Sequence, residues 1–268
     1  MHDTTTTTSP RVRRVWLIVG SLVTVPVLLF GATQVASALA HEVHTEVSEF
    51  RAGDLETVEI DNAAGSVRVV GVEGADKVTV TARISDGWRS TGHDIQREGD
   101  RLVIEGTCPV FLSDWCNVRY TIEMPSDLAV VAKSDNGGVT VTDIAADVEA
   151  SSDNGRIEVA RIEGNVVLRS DNGSVTASGI RRASRADATS DNGGVRLEFL
   201  DPPDDVVATS DNGSVDVVIP DVGDIAYRVD AESDNGTVSF PIRTDPDGAR
   251  TITARSDNGD VTITYALD

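Results

Sequence analysis

Seven aspartates in this chain recur in one local setting: Asp135, Asp153, Asp171, Asp191, Asp211, Asp234 and Asp257, each inside the word Ser-Asp-Asn-Gly. Carboxylates brought into a row attract a cation, and calcium takes carboxylate and carbonyl oxygens in turns of this kind. If successive copies stack as neighbouring strands, the carboxylates stand ~4.8 Å apart and repel by about 1 kcal/mol per pair in bulk water. The glycine-rich nonapeptide of calcium β-rolls is absent, however. Each Asp also has a nearer partner in the backbone N–H groups of its own turn. The favoured reading makes the aspartates structural and assigns no metal ligand; a calcium-dependent adhesion module is the alternative.

Two further sets of residues have chemistry to offer. In "HEVHTE", His41 and His44 are a potential transition-metal pair, but they lack a third ligand and the H-E-x-x-H spacing, so a solvated segment is the better reading. Cys108 and Cys116 bracket "CPVFLSDWC" and are expected to form a disulfide in an oxidising compartment. No second C-x-x-C or nearby histidine completes a zinc site. Phe111, Leu112 and Trp115 gather apolar mass in a chain that is 4% aromatic. That loop either caps an open sheet end or forms a partner-binding tip, and these three are the candidate partner contacts.

No Ser-His-Asp set, phosphate-cradling glycine loop or dinucleotide fingerprint occurs. A carbohydrate-active solenoid enzyme is the other alternative; it needs acidic and basic side chains along one groove, yet the lysines are only Lys77 and Lys133. The chain reads as non-enzymatic and without a cofactor.

Charge narrows the partners. There are 44 acidic and 23 basic residues, a formal net of -21. Asp3, Arg11, Arg13 and Arg14 are the charges of the first forty residues, so the rest carries 43 acidic against 20 basic. Such a surface repels nucleic acid, whose binding needs clustered Lys and Arg.

The elements that must position these residues follow from the flanks of the word. Its asparagines, 136, 154, 172, 192, 212, 235 and 258, are 18, 18, 20, 20, 23 and 23 residues apart, in the range of stacked repeats. Two and four residues after each Gly stand apolar pairs, from Val139/Val141 and Ile157/Val159 to Val238/Phe240 and Val261/Ile263. Before each Asp a second pair alternates likewise, from Val130/Ala132 to Val229/Ala231 and Ile252/Ala254. Period-two alternation predicts strands with one buried face. Asn136-Gly137, Asn154-Gly155, Asn172-Gly173, Asn192-Gly193, Asn212-Gly213, Asn235-Gly236 and Asn258-Gly259 are then structural turns, where Asn-Gly tolerates positive φ. Ile144, Ile162, Ile180 and Leu200, seven after the Gly, suit a further inward wall. "DNAAGSVRVV", with Val67 and Val69, is a decayed eighth copy.

An antiparallel meander is one solution, but it leaves a long single sheet with a bare apolar face. A β-solenoid buries that face inside its own coil and lets stacked asparagines form hydrogen-bonded ladders. The solenoid is the expected fold class: all-β, preceded by one N-terminal transmembrane helix.

The N-terminus divides the chain. Residues 1–14 are polar and end in arginines; residues 15–40, "VWLIVGSLVTVPVLLFGATQVASALA", carry no charge and are long enough to cross a ~30 Å hydrocarbon core. Arginines on the cytoplasmic side put residues 41–268 outside. A cleaved signal peptide competes, since Ala38-Leu39-Ala40 fits an A-x-A site. Retained, the segment makes the protein single-pass in the cell membrane, with the membrane as one partner.

The segment "VRYTIEMPSDLAVVAKSDNGGVTV", followed by the repeated word, resembles the bacterial putative-adhesin β-strand-repeat proteins, domains related to toast-rack heads. The resemblance covers residues 50–268. It implies a right-handed, single-stranded β-helix on the outer side of a membrane, in surface adhesion or envelope sensing, with another envelope or surface protein as partner. It transfers no catalytic residue.

Overall fold

The computed structural model describes residues 19–28, 30–31, 42–86, 90–108 and 116–266. The chain first lays down β1 (Glu42–Arg51), β2 (Thr57–Asn62), β3 (Val67–Val72), β4 (Lys77–Asp86), β5 (Gly92–Glu98), β6 (Arg101–Thr107) and β7 (Asn117–Pro125). The first repeats give β8 (Ala129–Ser134), β9 (Val139–Ile144), β10 (Val148–Ser152), β11 (Ile157–Ile162), β12 (Val166–Ser170) and β13 (Val175–Ile180). Then come β14 (Arg185–Ser190), β15 (Val195–Phe199), β16 (Asp205–Ser210), β17 (Val215–Ile219), β18 (Tyr227–Ser233), β19 (Val238–Ser239), β20 (Arg250–Ser256) and β21 (Val261–Tyr265).

Two sheets hold all of them. One has eleven strands in the order β1-β4-β7-β3-β9-β11-β13-β15-β17-β21-β19, the other ten in the order β18-β20-β16-β14-β12-β10-β8-β2-β6-β5. From β8 onward the strand before each Ser-Asp-Asn-Gly lies in the ten-stranded sheet and the strand after it in the eleven-stranded one. Within each sheet the repeats pair in parallel and in register: Val148 with Val130 and Val166, Val159 with Val141 and Ala177. The antiparallel-meander alternative fails on this register. Asn-Gly is a corner that passes the chain from one sheet to the other, not a hairpin turn.

The two apolar pairs of each repeat meet between the sheets. Val130, Ala132, Val139, Val141, Val166, Leu168, Val195 and Leu197 are all buried, and each Val or Leu contributes about 1.5–3 kcal/mol by leaving water. Two expectations fail here. Phe199, not Leu200, takes the inward place opposite Ile180, because β13 carries one extra residue before Ile180 and the register shifts; Leu200 is exposed. Val238 and Phe240 are exposed and Val229 and Ala231 half-buried, because their layer is the outermost and no strand among the described residues covers it.

Both ends depart from a simple succession of repeats. At one end β1 and β4, β4 and β7, and β5 and β6 pair antiparallel. Parallel pairing starts with β2 against β6 and β8, and β3 against β7 and β9. At the other end β20 and β21 insert between β16/β17 and β18/β19. The described strands therefore make an all-β stack of two parallel-rich sheets with a partly antiparallel end.

Residues 19–28 form a short exposed helix. No helix among the described residues is long and apolar enough to cross a membrane. Residues 1–14 and the rest of 15–40, except 30–31, lie outside the described residues.

Candidate interaction surface and the scaffold behind it

The corner is built from the serine outward. Ser170 is buried; its Oγ donates to the Gly155 carbonyl at 2.9 Å and accepts the Gly173 N–H at 2.9 Å. Ser190, Ser210 and Ser256 repeat both bonds at 2.8–2.9 Å. A hydroxyl that donates and accepts satisfies two backbone groups that would otherwise be buried and orphaned. The sequence had pointed to the aspartate for that turn bond, and the serine makes it.

Outside the serines runs the asparagine ladder. Nδ2 of Asn154, Asn172, Asn192 and Asn212 each donates to Oδ1 of the preceding asparagine at 3.0–3.2 Å. The same Nδ2 reaches the preceding Asp carbonyl, as Asn172 does to Asp153 at 3.0 Å. In the decayed copy Asn62 stands in register with Ser134 and bonds the Gly65 and Val118 carbonyls at 2.8 and 2.9 Å.

The glycines serve a different purpose from the one expected. Positive φ occurs at Gly53, Gly65, Gly74, Gly99, Gly179 and Gly223, and at none of the seven glycines of the word. What they lack room for is a Cβ: at Gly155 it would meet the Gly137 carbonyl oxygen at 2.2 Å, and at Gly213 the Gly193 carbonyl at 2.5 Å. Close stacking of corner on corner, not the left-handed region, excludes every other residue type.

The aspartate carboxylates are what remains outside. Asp153, Asp171, Asp191, Asp211, Asp234 and Asp257 are exposed, and Asp135 pairs with Lys133 at 3.6 Å. Among the described residues no three His, Cys, Asp or Glu side chains converge as a metal site.

A second outward feature was not legible in the sequence. Asp143, Arg161 and Gly179 take positive φ at equivalent places before Ile144, Ile162 and Ile180. This bend turns each isoleucine into the core. Arg161 grips the Asp143 carboxylate with two bonds of 2.6 and 2.7 Å, which hold that carboxyl below its usual range. They line an open groove with Gly71, Glu73, Ser126 and Glu163. Its two central charges neutralise each other.

The antiparallel end holds the other predicted residues. Cys108 and Cys116 are disulfide-bonded, with Cα atoms 5.8 Å apart, and tie the end of β6 to the start of β7. Phe111, Leu112 and Trp115 lie outside the described residues, as does His41. His44 contacts Glu46 and Asp86 at 3.4 and 3.6 Å. His93 is half-buried beside Tyr120: the phenol donates to the Glu105 carbonyl at 3.0 Å, so His93 Nδ1 donates to the phenol oxygen at 2.9 Å. Burial lowers the pKa of His93 and raises that of Tyr120.

No family model matches the chain, and no curated protein matches it. Solved structures do. A putative cell adhesion protein from Clostridium sporogenes is 11% identical with a TM-score of 0.43, covering 84% of this chain and 100% of that one. A putative adhesin from Bacteroides fragilis is 14% identical with a TM-score of 0.47, covering 83% and 97%. One from Parabacteroides distasonis is 11% identical with a TM-score of 0.42 over the same shares. Identity and superposition are both low.

Proposed function

We propose that the protein is a non-enzymatic display module of the putative-adhesin type: residues 1–14 cytoplasmic, 15–40 a membrane anchor, and 41–268 a β-solenoid outside the cytoplasm. Its crossovers are right-handed, as such connections almost always are. The observation that carries this reading is the direction in which the repeated word is used. Serine, asparagine and glycine close on neighbouring layers, and the acidic side chains are left facing solvent. A fold arranged so is a rigid post with an acidic surface. Eleven strands at ~4.8 Å make it roughly 45–50 Å tall. It suits contact with another envelope or surface protein and repels nucleic acid. The uncharged run of residues 15–40, ending just before β1, supports attachment at the antiparallel end.

Protease treatment of intact cells expressing the full chain tests the topology. The expected result is release of an acidic fragment beginning near residue 41, with residues 1–40 left in the membrane fraction. Recovery of the whole chain, uncut, from the cytosol would overturn it.

A further inference from the structure

We propose that the last layer of the stack, β18 with the corner after it, is a docking edge for an extended basic segment of a partner protein. This names a partner class for the module inferred above and rests on its being a binding protein.

At the Ser, Asp and Asn of each corner the hydrogen bonds run with the donor in the outer layer, whereas the first residue of the next strand donates outward, as Val261 N–H does to the Thr237 carbonyl at 2.9 Å. Asp257 N–H reaches the Ser210 carbonyl at 3.2 Å and Asn258 N–H the Asp211 carbonyl at 3.0 Å; Ser256 Oγ and Asn258 Nδ2 reach the Gly213 carbonyl and Asn212 Oδ1. The layer of Ser233 repeats the pattern on that of Ser256, from outside. At the Ser, Asp and Asn of the outermost corner the series stops with its acceptors open. Among the described residues no donor meets the Ser233, Asp234 or Gly236 carbonyls or Asn235 Oδ1.

The strand edge is open as well. Tyr227 turns its N–H to the Arg243 carbonyl at 3.1 Å and its carbonyl to the Asp245 N–H at 2.9 Å. Backbone groups alternate sides along a strand, so those of Val229, Ala231 and Ser233 face the same outward direction. No described residue pairs with them there.

Charge selects the occupant. Residues 220–249, which form this layer, hold seven acidic and two basic residues. Asp230, Glu232 and Asp234 are exposed, and Arg255 of the layer beneath reaches the first two at 2.5 and 3.8 Å. Val229 and Ala231 sit at positions that inner layers bury completely. The fitting segment therefore adds as a strand, with small apolar side chains inward, basic ones opposite Asp230 and Glu232, and N–H donors toward the corner. A second copy fits worse: acid would face acid, and acceptor would face acceptor.

The test titrates the full chain in detergent with a capped seven-residue peptide of alternating arginine and valine, read by hydrogen exchange. Controls are a proline-interrupted peptide of equal charge and an alternating glutamate–valine peptide. Saturable binding with slowed exchange over β18 is expected for the first peptide alone. Binding should weaken at least tenfold in Ala231→Pro, which lacks the outward N–H, and in Glu232→Lys/Asp234→Lys, which keeps every backbone donor should the proline variant not fold. No binding, equal binding of the interrupted peptide, or indifference to the charge-reversed variant would overturn the proposal. So would peptide-free dimerisation that Ala231→Pro abolishes, which would give the edge to a second copy. A negative result here leaves the cell-surface protease test unaffected, so the two readings fail separately.

Discussion

Asn258 donates its side-chain amide to Asn212 Oδ1 at 3.0 Å across 46 residues, while Asn235, between them in sequence, stacks outside Asn258 at 3.1 Å. The ladder follows space, not chain order. The chain climbs past one layer to build the outermost one, then returns to fill the gap. The same device appears at the other end, where β2/β3 lie between β6/β7 and β8/β9.

Gly213→Ala should lower stability by about 1–3 kcal/mol, the usual range for forcing an atom into a packed site, because the new Cβ meets the Gly193 backbone at 2.5 Å. Gly74→Ala is the control: its φ is +72° but nothing lies within 4 Å. It should cost about 1–2 kcal/mol through left-handed strain alone. Mutating Gly193 as well as Gly213 should be non-additive, as stacked neighbours couple, while Gly74 and Gly213 should add. Denaturant midpoints for the set decide it.

Asn212→Asp should cost about 1–2 kcal/mol, from two lost donor bonds in an exposed row. Asn212 Nδ2 serves Asn192 Oδ1 at 3.2 Å and the Asp191 carbonyl at 3.1 Å. The new charge also stands beside the Asp211 carboxylate, so the loss should shrink as salt rises. A loss independent of salt would assign it to the bonds alone.

Much of this frame is legible in the sequence, and the failures have physical causes. Alternation at Val130/Ala132 and Val139/Val141 identifies strand, inward face and corner together. Ser170 was not legible as a core residue, because a polar letter beside Asp and Asn looks solvated whether or not its hydroxyl is buried. Sequence alone assigns Gly213 to the wrong cause, because glycine answers two needs, positive φ and missing Cβ, and composition does not separate them. The exchanged order of the last layers left one trace: the spacing of 23 residues after Asn212 and again after Asn235 supplies chain to step over a layer and back. The bend at Asp143 and Arg161 left none, since residues other than glycine rarely take that conformation and no glycine marks it there.

Acidification should reveal His93. Burial lowers its folded pKa beneath the ordinary 6.5, so between those two values the unfolded chain binds more protons and stability falls as pH drops. The melting temperature should fall from pH 7 toward pH 5, less steeply in His93→Gln. Asp143 and Asp260 are held below 3.8, by Arg161 and by the Thr237 N–H and hydroxyl respectively. Their contribution is present above 3.8 and lost below it, so it should survive in the histidine variant. Equal slopes for both proteins between pH 7 and 5 would remove His93 from the account.

Reduction of Cys108–Cys116 should cost about 2–3 kcal/mol, the loop-closure value for so short a ring. Hydrogen exchange should place the loss in β6 and β7 and leave β12–β17 unchanged.

Calcium should raise the melting temperature no more than magnesium at matched ionic strength. A saturable, calcium-selective rise would mean binding to the folded state alone and would make the seven aspartates a site.

The position of β21 between β17 and β19 has a mechanical consequence. A stack whose last-made layer was also its outermost would unzip from its free tail, one layer at a time under a small pull. Here a load on the C-terminus draws on a strand paired along its length with β17 and held at Val261 and Thr262 by β19 as well, so the pull ends on a stretch clamped from both sides.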